Sequence, residues 1–232
     1  MSNIEKMYSK ARDESTVHNH DYNHDERRDF YFRAIIQSSL MDTIQGALEE
    51  SGFPLPDIDL FTTALAELPE KDQLTVLSLP LEIRGRLLSN YHKQVAEGKM
   101  TPADVVHDLL TKFKKHGFTL GYHLSSHQVP RERNRNGEET WNIKGTELDD
   151  RDNRLMAYYS EDYLNRYKKK AGNFLYVVRS EMGPNSSHKH DLKNHWGRAA
   201  SLSIIDEYDM SQVERRIDEA MEKERAATPE LE

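Results

Sequence analysis

The sequence predicts an α+β protein, with a helical N-terminal module followed by a small mixed-sheet domain. Three observations lead there. Apolar residues recur at three-and-four spacing from Asp29 to about Leu88, and again between Pro102 and Phe113. Alternating and β-branched runs appear only after Gly117. The 232 residues, 36% of them apolar, suffice for one medium domain or two small ones with a real core.

The elements follow in order. Residues 1–26 are polar and read as an arm that is flexible without a partner. Residues 27–116 form the helical module. Phe30, Ala34, Ile36, Leu40, Ile44, Ala47 and Leu48 make the stripe of a first helix, stopped by Gly52 and Pro54. A short helix is expected from Leu60 to Ala66, broken by Pro69, then helices from Glu70 to Leu79 and from Leu81 to Ala96, the latter ended by Gly98. Thr101 is placed to cap the next helix, with Pro102 at its first position and Asp104 at its positive end. Val105, Val106, Leu109, Leu110 and Phe113 form its apolar stripe, and Gly117 closes it.

Residues 117–226 form the α+β part. Phe118 to Leu124 alternates as a half-buried strand does. Gln128 to Thr140, with Arg131, Arg133, Arg135 and Gly137, reads as a polar loop. Short strands are expected at Trp141 to Ile143 and Leu155 to Tyr159, and a helix capped by Ser160 runs through Lys169. Asn173 to Arg179 is the strongest strand. Met182 to Arg198 reads as a histidine-containing loop, and Ser201 to Ile205 as a further strand. Asp209 and Gln212 resemble a capping box for a last helix with the stripe Val213, Ile217 and Met221, and residues 227–232 are expected to fray.

Composition excludes several classes of function. The formal charge of −8 argues against general binding to nucleic-acid backbone, while leaving room for a local basic groove. With no cysteine there is no disulfide framework, thiolate zinc site or cysteine nucleophile. The opening Met-Ser-Asn-Ile-Glu-Lys has no apolar core of signal-peptide length, and no stretch is apolar enough to span a membrane. The expectation is a soluble, cytoplasmic protein, with delivery into another cell left open. Phosphate-loop, Gly-x-Gly-x-x-Gly and Gly-x-Ser-x-Gly signatures are all missing.

Two motifs stand at strand-to-loop junctions. In Tyr122-His123-Leu124-Ser125-Ser126, an imidazole and neighbouring hydroxyls suit hydrogen bonding to a sugar diol, although a plain strand histidine has the same pattern. In Met156-Ala157-Tyr158-Tyr159-Ser160, adjacent tyrosines face opposite ways, so one packs in the core and the other offers a stacking face. Histidine and carboxylate clusters at His18 to Asp25 and at His188-Lys189-His190-Asp191 with His195 suit a divalent metal in type but match no metallohydrolase spacing; no metal ligand is assigned.

Taken in order, Tyr122-His123-Leu124-Ser125, Ala157-Tyr158-Tyr159-Ser160 and Phe174-Leu175-Tyr176-Val177-Val178 resemble the ADP-ribosyltransferase superfamily, in its His-Tyr-Glu branch of poly(ADP-ribose) polymerases and diphtheria-like toxins. The resemblance covers about residues 118–208 and departs from the family pattern at Leu124, where the family has glycine. It implies an NAD-consuming mono-ADP-ribosyltransferase with a protein or nucleic-acid acceptor. His123 and Ser125 would bind a ribose, Tyr158 would stack on nicotinamide beside Tyr159, and Arg131 would approach the diphosphate. The third element implied is a late-strand glutamate. Glu207 matches best, with Glu181 and Asp206 as rivals, and alternation puts Glu207 on the face of Ser203 and Ile205, opposite Leu202 and Ile204. The resemblance also makes the strands at Phe118 and Leu155 near neighbours. Two other functions remain open: a non-enzymatic interaction protein whose helical half binds a protein partner, and a metal-dependent enzyme.

Overall fold

The computed structural model describes residues 24–114, 118–133, 135, 137, 139–143, 154–156, 173–181, 196–198 and 201–227. Among the described residues five helices come first: α1 (His24–Glu50), α2 (Leu55–Ala66), α3 (Glu70–Leu77), α4 (Leu81–Ala96) and α5 (Pro102–Lys114). The strands follow as β1 (Phe118–Ser125), β2 (Arg131–Arg133), β3 (Glu139–Trp141), β4 (Arg154–Met156), β5 (Phe174–Glu181), β6 (Trp196–Arg198) and β7 (Ser201–Asp209), and α6 (Met210–Ala227) closes the order. The architecture is α+β, with a group of helices N-terminal to the sheet and α6 following it.

Local chemistry sets the helix ends. After α1, Gly52 takes φ +93°, Phe53 N–H reaches the Leu48 carbonyl at 3.1 Å and Gly52 N–H the Glu49 carbonyl at 2.9 Å. This is a Schellman stop, and Gly98 (φ +67°) repeats it after α4. Thr101 and Asp104 cap α5 reciprocally: Thr101 N–H donates to Asp104 Oδ2 at 2.8 Å, and Asp104 N–H to Thr101 Oγ1 at 3.2 Å. Asp209 Oδ1 accepts Ser211 N–H at 2.8 Å at the start of α6.

Several expectations change. Helix α2 starts at Leu55 instead of Leu60, because Pro54 is extended and Pro56 sits in the first turn, where no N–H partner is needed. Helix α3 stops at Leu77, since Pro80 disfavours the helical conformation of the residue before it. The expected polar loop from Gln128 to Thr140 contains strands β2 and β3, paired antiparallel with Arg131 opposite Trp141. All of β2 is exposed, so it has no apolar alternation to read. The strand expected at 141–143 lies at Glu139–Trp141, and Trp196–Arg198, expected in a loop, forms β6 against β4. Of the strand expected at Leu155 to Tyr159, Arg154–Met156 is described. Gly117, the helix expected from Ser160 to Lys169 and the histidine loop through His195 lie outside the described residues.

The larger sheet has the order β6-β4-β1-β5-β7. Its pairings are all antiparallel, where the sequence reading expected a mixed sheet. β1 and β4 are direct neighbours, with Tyr122 opposite Met156. One face of β1, β5 and β7 belongs to the main core: Leu124, Leu175, Val177 and Ile205 share a cluster with Phe32, Ile36, Leu40, Phe61, Leu65 and Leu109 of the helices. That one core draws on both the helical half and the sheet. On the other face Tyr176, Val178 and Ile204 join Val129 and Trp141 in a smaller cluster beneath the β2–β3 hairpin.

Candidate functional site

The site lies on the hairpin side of the sheet. His123 of β1 pairs with Tyr176 of β5, and Tyr176 pairs with Glu207 of β7. Directly opposed residues in an antiparallel sheet project from the same face. His123, Tyr176 and Glu207 therefore form one row across three strands. His123 is 8% exposed and Tyr176 fully buried, while Glu207 is half-buried at the open end of the row.

Glu207 reaches this face through an irregularity. The register runs Arg179 to Ser203, Val178 to Ile204, and then Val177 to Asp206, so Ile205 is an extra residue. Strict alternation would put Glu207 with Ser203 and Ile205. The bulge reverses this: Ile205 packs in the helix-side core, while Glu207 shares the hairpin side with Ile204. This corrects the face read from the sequence.

The Glu207 carboxylate is held at both oxygens. Tyr176 donates its hydroxyl to Oε2 at 2.7 Å, and Gln128 Nε2 donates to Oε1 at 2.7 Å. The Tyr176 oxygen in turn accepts Val129 N–H at 2.7 Å, which ties the loop after β1 to the row. Burial pushes the Tyr176 phenol well above its ordinary pKa, and the adjacent Glu207 charge adds to the rise, so it remains a donor. Trp141 packs edge-on to Tyr176 with ring centroids 6.0 Å apart. The Arg131 guanidinium lies 4.2 Å from the Trp141 ring centre, and Arg131 Nη1 is 3.5 Å from Glu139. The buried Trp141 indole N–H has no hydrogen-bond acceptor among the described residues.

The other sequence-derived residues divide clearly. Ser125 is buried and its hydroxyl closes a turn, donating to the His127 carbonyl at 2.8 Å and accepting His127 N–H at 3.1 Å. Arg131 is exposed on the hairpin, stacked as described. Asp206 faces the helices, bonded to Thr43 of α1, and Glu181 ends β5 at the far end from Phe174. Tyr158 and Tyr159 lie outside the described residues, as do both histidine clusters apart from the backbone of His24 and of Asp25. Sequence reasoning missed Tyr176 and Gln128. Tyr176 was hidden inside an apolar strand pattern, although a tyrosine there needs a partner for its hydroxyl, and that was the available signal.

Chemically, the row offers a carboxylate held in place by a donor at each oxygen. Such a group stabilises positive charge that develops nearby. No family model, curated protein or solved structure matches the chain.

Proposed function

We propose that the chain is an NAD-dependent mono-ADP-ribosyltransferase that transfers ADP-ribose to a protein or nucleic-acid acceptor. The observation that supports this reading is the row itself: His123 and Glu207 share one sheet face, with Tyr176 between them fixing the carboxylate. NAD is the co-substrate. The bond between ribose C1 and nicotinamide breaks with its electron pair leaving on nicotinamide. Glu207 stabilises the resulting oxocarbenium-like centre, and the acceptor's lone pair then forms the new bond to C1 while its proton passes to solvent. Tyr158 is assigned to stack on nicotinamide, with Tyr159 and Ser125 beside the ligand and Arg131 toward the diphosphate. The test is nicotinamide release from NAD, with and without protein and nucleic-acid acceptors, together with calorimetry of NAD binding.

A second reading is favoured by the burial of His123 and Tyr176. In it the row is an internal polar brace, and the chain is a non-enzymatic interaction protein whose helical half carries the partner groove. Absence of NAD binding at millimolar concentration selects this reading over the first.

A further inference from the structure

The bulge that turns Glu207 toward the hairpin has its own support, on the opposite side of the sheet. Ile205 and Asp206 are consecutive residues that both face the helices, an arrangement an uninterrupted strand forbids. Ile205 is fully accommodated in the core at 2% exposure. Asp206 brings a carboxylate to a helix–sheet boundary, where it must be satisfied.

Its partners are distributed in a specific way. Asp206 Oδ1 accepts the backbone N–H of Glu207 at 2.9 Å, so the amide beside the bulge is bonded to the residue before it. Asp206 Oδ2 faces the Thr43 hydroxyl of α1 at 3.0 Å and the Tyr208 hydroxyl at 3.3 Å. Thr43 Oγ1 also lies 2.8 Å from the Ser39 carbonyl, so its one proton serves two acceptors. Burial and the neighbouring Asp206 push the Tyr208 phenol far above its ordinary pKa, keeping it a donor.

We propose that Asp206, anchored by Thr43, is a positioning residue: it holds the β7 bulge and thereby sets the face on which Glu207 stands. The proposal deepens the reading above and rests on Glu207 as the working carboxylate. Without an acceptor at Asp206 Oδ1, the Glu207 amide loses its partner and the extra residue loses the contact that pins it. Regular alternation then carries Glu207 toward the helices, away from Tyr176 and Gln128. The helical half thus fixes the aim of a side chain on the far side of the sheet.

The test reads geometry without turnover, so its failure is distinct from a failure of the NAD reading. The coupling between Tyr176→Phe and Glu207→Gln is measured by a double-mutant cycle in chemical denaturation, in the native background and in Asp206→Ala. A coupling present in the first and lost in the second is expected, with Asp206→Asn, which keeps the Oδ1 acceptor, restoring it. Should Asp206→Ala fail to fold, amide exchange in Thr43→Val decides: the Glu207 amide should exchange about tenfold faster while Val177 is unchanged. Coupling that survives Asp206→Ala, coupling absent from the native background, or unchanged exchange at Glu207 in Thr43→Val overturns the proposal.

Discussion

Tyr176 and Glu207 stand opposite each other across the β5–β7 ladder, and the phenol donates to Glu207 Oε2 at 2.7 Å while accepting Val129 N–H at 2.7 Å. One buried oxygen therefore joins a loop to a carboxylate. Tyr176→Phe removes both links and leaves the Val129 N–H without its acceptor. Denaturant unfolding should show a loss of about 1–3 kcal/mol. A variant as stable as the native chain would contradict the hydrogen-bond geometry.

Two glycines of the first helical hairpin should respond in opposite directions. Gly52 has φ +93°, and an added Cβ would lie 3.1 Å from His92 Cε1. Gly52→Ala should cost about 1–2 kcal/mol from the left-handed conformation alone. Gly46 lies inside α1 with nothing within 4 Å of an added Cβ. Gly46→Ala should stabilise by about 0.5–1 kcal/mol. Thermal unfolding of the two single variants checks both signs.

The helical core sets the scale of destabilisation. Phe61 is fully buried in the cluster that joins helices and sheet. Phe61→Ala should cost about 3–5 kcal/mol. If the two halves fold on the shared core, that loss should lower the unfolding midpoint reported by helical signal and by the Trp141 environment together.

On the α4–α5 surface, Lys112 Nζ lies 2.7 Å from Asp108 Oδ2 and donates to Tyr91 Oη at 2.7 Å. The Lys112 bond holds the Asp108 carboxyl below its ordinary range, and the Asp108 bond raises Lys112. The Asp108 contribution is present above the usual carboxylate pKa and is lost as pH falls through the lowered value. The Lys112 contribution is complete below the usual lysine pKa and is lost as pH rises through the raised one. Stability from this pair is therefore flat between about pH 5 and 10. Both groups are over a third exposed, so Asp108→Asn should cost less than about 1 kcal/mol at neutral pH, with the difference shrinking in acid. Urea titrations across pH measure it.

Much of the helical half is legible in the sequence because its boundaries are written in single residues. Gly52, Gly98, Pro69, Pro80 and the Thr101–Pro102 pair each end or start an element by local chemistry. The sheet is less legible because register is a long-range property. Nothing in Ser201 to Asp209 announces that Ile205 is an extra residue, and that one residue decides the face of Glu207. The hairpin escaped notice because charged β2 is exposed on every residue and gains its order from Arg131 stacking on Trp141. At the site, His123 and Glu207 could be named from their places on strands. For Tyr176 the sequence offers only the need of a buried hydroxyl for a partner, since in an apolar strand its ring reads as core and the register shows what that hydroxyl meets.

If Glu207 acts on NAD from this row, as proposed, a comparison of the native chain with one variant shows it. Nicotinamide release from NAD is measured for the native chain and for Glu207→Gln, with NAD affinity measured in parallel by calorimetry. A group whose work is done in the transition state should affect rate far more than binding. The native chain should release nicotinamide, and Glu207→Gln should keep near-native NAD affinity while its release is strongly slowed. Full release by Glu207→Gln, or a native chain that binds no NAD at millimolar concentration, contradicts it.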